Sequence, residues 1–256
     1  MRIISLNVNG IRSAYRKGLD AWLIAQHADV VCLQELRAEF SDLSPTMRHI
    51  GELRGFFHPA EKKGYSGVAI YTRLSPTQVI TGLGVPEFDR EGRYLQIDID
   101  NYSFISLYLP SGSHSAQRQQ VKFAFMAMLQ PHLKRLQQQQ RDIVICGDWN
   151  IAHQPIDLKN WRNNVNNSGF LPEERAWLSA VLDNDQWIDV WRHLYPQEPG
   201  YTWWSNRGRA YANNVGWRID YQIVSSTMRK RALSANIDKT QKFSDHAPLI
   251  VEYLDA

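Results

Sequence analysis

The sequence predicts an α/β protein whose two halves repeat one plan, and three observations carry that expectation. Short runs rich in Val, Ile and Leu recur at residues 3–8, 30–33, 68–71, 94–99, 104–109, 143–146, 219–224 and 249–253, each of strand length. Helix-period patterns lie between some of them. Finally, Asp-Val-Val-Cys-Leu-Gln-Glu at 29–35 matches Asp-Ile-Val-Ile-Cys-Gly-Asp at 142–148: an acidic start, four apolar residues, a spacer, then a carboxylate. Strands this apolar belong to sheets covered by helices, and ligands bind at the ends of such strands. The repeat suggests a pseudo-duplicated sandwich with carboxylates converging at one edge; coincidence of strand composition is the competing reading.

Taken in order, the first strand runs into Asn9-Gly10, a pair that suits a hairpin turn, although the following Ile-Arg-Ser-Ala does not alternate as a return strand should. Leu19, Trp22 and Leu23 form an apolar helical face ending near His27. A second helix follows a Ser115 cap and carries Val121, Phe125, Met128 and Leu129, with Pro131 expected to kink or end it. Gln137 to Gln140 reads as a helix end running into a loop. A third helix opens at Pro172, places Glu173 and Glu174 in its first turn, and carries Trp177, Leu178 and Val181. No linker-like tract divides the chain, so one domain is expected over residues 1–256.

Composition narrows the function classes. Hydrophobic residues make up 43% and charged residues 21%, enough for a sizeable core. A net charge of +3 admits a polyanionic partner but is far from a histone-like excess. Cys32 and Cys146 both end apolar runs and form neither a disulfide framework nor a zinc spacing, which suits a reducing, cytoplasmic setting. The start has no long apolar signal core and no stretch approaches membrane-spanning length, so no anchor is expected.

Polar groups close several of the apolar strands: Asn7 and Asn9, Glu35, Asp148 with Asn150, and Asp245 with His246. Carboxylate and amide oxygens are hard ligands suited to Mg²⁺ or Mn²⁺, and a Mg²⁺ site takes only one or two carboxylates, leaving others for base chemistry. Gln34-Glu35 alone could be a solvated strand end and Ser244-Asp245-His246 alone a cap. Gly147-Asp148-Trp149-Asn150 is sharper, because Gly147 permits a close backbone approach where the two polar groups project.

The order of these elements resembles the motif series of the exonuclease III family of apurinic/apyrimidinic endonucleases, within the endonuclease/exonuclease/phosphatase superfamily. The series comprises Leu-Asn-Val-Asn-Gly-Ile-Arg (6–12), Leu-Gln-Glu-Leu (33–36), Gly-Tyr-Ser-Gly-Val-Ala (64–69), Phe-Asp-Arg-Glu-Gly-Arg (88–93), Tyr-Leu-Pro-Ser-Gly (108–112), Gly-Asp-Trp-Asn-Ile-Ala-His (147–153), Asn-Ser-Gly-Phe-Leu-Pro-Glu-Glu-Arg (167–175), Gly-Trp-Arg-Ile-Asp-Tyr (216–221) and Ser-Asp-His-Ala-Pro-Leu (244–249). The resemblance implies a four-layered α/β sandwich, two mixed sheets flanked by helices. It implies a Mg²⁺-dependent enzyme (Mn²⁺ able to substitute) acting as a monomer on duplex DNA with abasic sites or blocked 3′ ends. Glu35, Asn7 and Asp245 would hold the metal, Asp148 and Asn150 would activate water, and His246, oriented by Asp220, would bond the scissile phosphate. Tyr108 would stabilise transition-state charge. Trp203, Trp217 and Ile219 would form a slot for a flipped sugar, unless the tryptophans are simply core, with Asn164, Asn167, Arg12 and Ser111 contacting DNA. Relatives often have Asp at Asn9 and Asn at Ser111, which puts a direct metal role for Asn9 in doubt and leaves Ser111 a secondary candidate.

Three other readings stay open. A relative specialised for trimming 3′ ends would share every motif, and the loop at 161–168 could decide its shape. A phosphoinositide or sphingomyelin phosphodiesterase would need an exposed apolar hairpin or anchor that the sequence does not suggest. A catalytically dead DNA-binding relative would have lost part of the Glu35, Asp148, Asn150, Asp220, Asp245 and His246 set, which is intact.

Overall fold

The computed structural model describes residues 1–183 and 186–254. The chain runs β1 (Arg2–Asn7), α1 (Ile11–Arg16), α2 (Leu19–Gln26), β2 (Val30–Gln34), α3 (Pro45–Arg48), β3 (His49–Ile50), β4 (Leu53–His58), β5 (Val68–Thr72), β6 (Gln78–Thr81), α4 (Pro86–Asp89), β7 (Tyr94–Ile99) and β8 (Tyr102–Tyr108). It continues with α5 (Ala116–Gln137), β9 (Asp142–Asp148), α6 (Pro172–Leu182), β10 (Trp187–Asp189), α7 (Val190–Leu194), β11 (Trp203–Trp204), β12 (Gly216–Trp217), β13 (Asp220–Ser225), β14 (Ala232–Ile237) and β15 (Leu249–Tyr253).

Alternation along the central strands builds the layers. Val30 and Cys32 of β2 face one core, while Val31 and Leu33 face another beneath α1 and α2. On β9, Val144 and Cys146 enter the same central core, while Ile143 and Ile145 lie under α5 and α6. Two sheets therefore pack face to face, and each is covered on its far side by helices. One has the order β14-β15-β1-β2-β5-β4-β3 and the other β10-β13-β9-β8-β7-β6. This is the four-layered sandwich that the motif resemblance implied.

The internal repeat is topological as well. β1 and β2 pair in parallel through the α1–α2 crossover, and β8 and β9 pair in parallel through α5, whereas all other strand pairs are antiparallel. β2 and β9 are thus the second strands of two equivalent crossovers. Polar side chains lock the sheets together in the interior: Gln34 Nε2 donates to Ser106 Oγ (3.1 Å), which in turn donates to the Leu33 carbonyl (3.0 Å). Gln222 Nε2 spans to the Ile3 carbonyl at 3.0 Å.

Helix expectations hold with one correction. Ser115 caps α5 by accepting from the Arg118 amide, and α2 ends with His27 in the left-handed conformation. Pro131, however, neither ends nor breaks α5, which continues to Gln137. A proline in a helix interior costs about 3 kcal/mol. Burying Leu129, Leu133 and Leu136 against the sheet contributes about 1.5–3 kcal/mol each and outweighs it. The strands absent from the apolar runs (β3, β4, β6, β10, β11, β12, β14) are short or partly exposed pieces such as β6, and pairing rather than composition defines them.

Candidate active site

Five strand termini meet at one end of the two sheets. Asn7, Tyr108 and Asp148 close β1, β8 and β9; Glu35 follows β2; Asp220 opens β13, paired opposite Asp148. Gly147 is required here, because a Cβ would lie 2.1 Å from the Leu107 carbonyl oxygen of the adjoining strand. The backbone then leaves the sheet through left-handed residues, Glu35 at φ 54° and Asn150 at φ 52°. Asn9, also left-handed at φ 44°, leads directly into α1 and not into a hairpin. Such conformations cost energy in non-glycine residues and persist where neighbours fix them. For Asn150 the neighbours are the Asp148 carboxylate, bonded to its amide at 2.8 Å, and the Leu109 carbonyl, bonded to its side chain at 2.9 Å.

Two carboxylates share Asn7, whose Nδ2 donates to Asp148 Oδ2 at 2.9 Å and to Glu35 Oε1 at 3.2 Å. Its Oδ1 accepts from the Asn9 amide. In this arrangement the Asn7 nitrogen faces the anionic cluster and bridges its two carboxylates. Tyr108 donates to Glu35 Oε1 at 2.5 Å, and Arg37 pairs with Glu35 Oε2 at 2.6 Å. On the far side, Asp245 accepts from Asn9 Nδ2 (2.8 Å) and from Trp203 Nε1 (2.9 Å). His246 Nδ1 donates to Asp220 Oδ2 at 2.8 Å, and its Nε2 lies 3.9 Å from Asp148 Oδ2.

Burial decides the charges. Asp148 is pushed up to about 7 by desolvation and then by the Asp220 charge, against the pull of His246 and the Asn7 hydrogen bond. Burial alone would lower the His246 pKa, but the Asp220 charge and hydrogen bond, helped by Asp148 and Asp245, raise it to about 10. His246 is therefore an imidazolium at neutral pH. Burial would raise Asp245 too, yet the His246 charge and the hydrogen bonds from Asn9 and Trp203 hold it below the usual carboxylate range.

Among the described residues, Asp148, Asp220 and His246 form a trio with donor atoms within 4.8 Å of one another, a spacing that could hold a metal ion. In this trio His246 Nδ1 is committed to Asp220, which leaves Nε2, a softer donor than oxygen for a hard divalent ion. Cation binding fits better on Glu35 and Asp245, which line the open cleft; the donors there are oxygens with no thiolate, as a hard divalent ion requires.

The cleft has a volume of about 860 Å³ and joins this cluster to an apolar wall. Trp203 and Trp217 are half-buried and meet edge to face, centroids 6.1 Å apart, beside buried Ile219. They line the cleft while packing on a small core cluster with Phe170 and Ile219, whereas the neighbouring Trp204 is core at 1% exposure. Asn164 and Asn167 are bonded to each other at 2.8 Å on the loop that closes the same wall. Ser111 also lines the cleft, bonded to Ser113. Arg12 lies outside the cleft, in a neighbouring depression with Arg16 and Arg37, 3.9 Å from Asp42.

A profile of the Endonuclease/Exonuclease/phosphatase family matches residues 4–246. The chain belongs to that family. It is 38% identical to an exodeoxyribonuclease of Bacillus subtilis, over 97% of this chain and 98% of the relative. It superposes on an AP endonuclease from Archaeoglobus fulgidus with TM-score 0.89 and 27% identity, covering 99% of each chain. A 3′–5′ exonuclease from Neisseria meningitidis gives TM-score 0.90 at 25% identity, again over 99% of both chains. Within this family site, sequence reasoning left several cleft residues without a role. Arg93 Nη2 and Arg118 Nη2 both donate to the Tyr65 hydroxyl at 2.8 Å, and Arg93 Nη1 reaches the Tyr108 carbonyl. The signal was present in the motifs at 64–69 and 88–93, which supply Tyr65, Glu91 and Arg93.

Proposed function

We propose that the chain is a DNA-repair endonuclease, Mg²⁺-dependent (Mn²⁺ able to substitute), that hydrolyses the phosphodiester 5′ to an abasic site in duplex DNA, with accompanying 3′–5′ exonuclease and 3′-phosphodiesterase activity. The observation that carries the reading is the shared cleft, in which an acid–base cluster adjoins an apolar slot of Trp203, Trp217 and Ile219. A slot of that kind accepts a bare deoxyribose and has no room for one carrying its base. Unstacking is cheapest for a nucleotide with no base to stack, so damage itself lowers the entry barrier.

Held by Glu35 and Asp245, Mg²⁺ would neutralise phosphate charge and ease departure of the 3′-oxygen. Asp148, titrating near 7, accepts the proton of the attacking water, and Asn150 holds that carboxylate through its amide. His246, fixed as a cation by Asp220, donates from Nε2 to a non-bridging phosphate oxygen. The Tyr108 hydroxyl, kept protonated chiefly by burial and then by the Glu35 charge, donates to Glu35 Oε1 and would stabilise transition-state charge on the phosphate by turning that proton from Glu35 to the phosphate oxygen. Lys62, Arg118 and Arg207 line the cleft and suit backbone phosphates of the duplex. We assign the chain to a monomer in a reducing cytoplasm, consistent with its free buried cysteines.

The decisive assay compares matched duplexes carrying an internal abasic analogue, a 3′-phosphate or an intact recessed end, with and without Mg²⁺. Incision 5′ to the abasic site is expected to dominate. Trp217→Ala is expected to lower the ratio of abasic to intact cleavage, and an unchanged ratio with both rates reduced would make the tryptophans mere packing. If the protein trims 3′ ends and leaves internal abasic sites uncut, the end-processing reading replaces this one.

A further inference from the structure

Beneath the catalytic turn lies a buried ion pair that the chemistry above does not use. Lys122 on α5 and Glu174 in the first turn of α6 are both fully buried, with Nζ and Oε1 2.5 Å apart. Lys122 Nζ also donates to the Asn150 carbonyl at 2.7 Å. Glu174 Oε2 accepts from the Gly169 amide at 2.7 Å and the Leu171 amide at 3.0 Å, while Oε1 takes a further bond from Gln119 Nε2 at 3.0 Å. Each charge therefore reaches the backbone of a different loop: Lys122 holds the turn at 148–150, and Glu174 holds the turn at 169–171.

Those two turns lie side by side along the cleft. The first presents Asp148 and Asn150; the second presents Gly169, with Asn167 and Ser168 beside it. They are in close contact, since a Cβ on Gly169 (φ 94°) would lie 3.2 Å from the Asn150 oxygen and 3.1 Å from the Trp217 ring, and the Ala152 amide donates to the Gly169 carbonyl at 2.8 Å. A buried ion pair is weak support for stability, because apolar residues of similar volume often serve the fold as well. Its hydrogen bonds, by contrast, fix geometry that apolar packing does not.

We infer that the Lys122–Glu174 pair sets the register of the pocket turn against the catalytic turn, making both positioning residues for hydrolysis. Through it, the wall that receives the sugar and the carboxylate that acts on water are held to one frame. A displacement of about 1 Å between them is the scale that costs about 10²-fold in rate. The inference rests on the function proposed above, which supplies the sugar as the group whose placement matters.

The test reads stability and kinetics together in single and double variants of the pair. Lys122→Met and Glu174→Gln each leave one charge buried without its counter-charge, and both are expected to lower Tm. The double variant Lys122→Met/Glu174→Leu removes both charges and is expected to regain most of that Tm. Its kcat is nevertheless expected to stay at least about tenfold below wild type, with KM changed less, and with a greater loss at an internal abasic site than at a recessed 3′ end. A double variant with wild-type kcat on both substrates would make the pair structural only and overturn the inference. Should the double variant not fold, Glu174→Gln, which keeps the shape of the side chain, carries the test, and unchanged kcat in it overturns the inference equally. Wild type assayed in parallel separates the two claims. If it leaves abasic sites uncut, the proposed function fails, and the positioning role is then decided by kcat on the recessed end.

Discussion

β2 and β9 deliver their carboxylates by the same means to one end of the sandwich, but into different surroundings. Both are second strands of a parallel crossover, both bury four apolar residues in alternate cores, and both lead into a left-handed residue. Glu35 nonetheless meets a guanidinium, with Arg37 on one oxygen and Tyr108 and Asn7 on the other. Asp148 is buried at 2% exposure opposite a second carboxylate, Asp220, and titrates near 7. The difference shows that a repeated backbone places charges while their neighbours choose the chemistry. An acid paired with a cation suits fixed negative charge and metal binding; an acid pressed against another acid suits proton exchange near neutrality.

The sharpest way to break this contrast is to neutralise each acid separately. Asp148→Asn is expected to lower kcat by about 10²–10⁴-fold while DNA affinity, read by anisotropy in EDTA, changes little. An equal loss in both would make Asp148 a binding residue. Glu35→Gln is expected instead to weaken Mg²⁺ binding, seen calorimetrically without DNA, by about tenfold or more, and EDTA is expected to abolish activity reversibly. Identical metal affinity in wild type and variant would take Glu35 out of the cation site.

The pH profile sharpens the comparison further. With Asp148 as the proposed base and His246 as the proposed cation, the rate is expected to rise through pH about 7 and fall toward about 10. A rate level from pH 5.5 to 8 would contradict the assignment of Asp148. The smallest effect is on stability. A buried acid whose pKa is raised on folding favours the fold while protonated, and that contribution is lost as pH climbs through its folded value near 7. At pH 8 Asp148→Asn is therefore expected to raise Tm by about 2–4 °C even as it removes activity, by differential scanning calorimetry, whereas Glu35→Gln gives no such gain.

What the sequence disclosed follows from which forces are local. Apolar runs buried on both faces, such as 30–33 and 143–146, announce themselves by composition, and the matched acids at 35 and 148 lay at their ends. Edge pieces such as β6 have no such run, because only pairing defines them. Pro131 does not end its helix because tertiary burial outweighs a local penalty. In the site, residue type suggested Asn7 as a ligand, while the direction its amide faces is set by Glu35 and Asp148, which arrive from distant parts of the chain. Lys122 and Arg37 gave no signal for the same reason. Their meaning lies in partners and not in their own neighbourhood, as with Lys122 and Asn150, 28 residues apart.

The seat of β1 has a consequence for synthesis. The first strand is flanked on one side by β2 and on the other by β15, and Met1 donates to the Tyr253 carbonyl. During translation β1 and β2 can pair early, but the place beside β1 stays open until the last strand arrives. Asp245 and His246 immediately precede that strand, so they reach Asn9, Trp203 and Asp220 only when it docks. Domains fold as units when synthesis completes them, and contacts this distant in sequence form slowly. A chain in which β15 has not yet docked therefore holds Glu35 and Asp148 without Asp245 and His246 in place beside them.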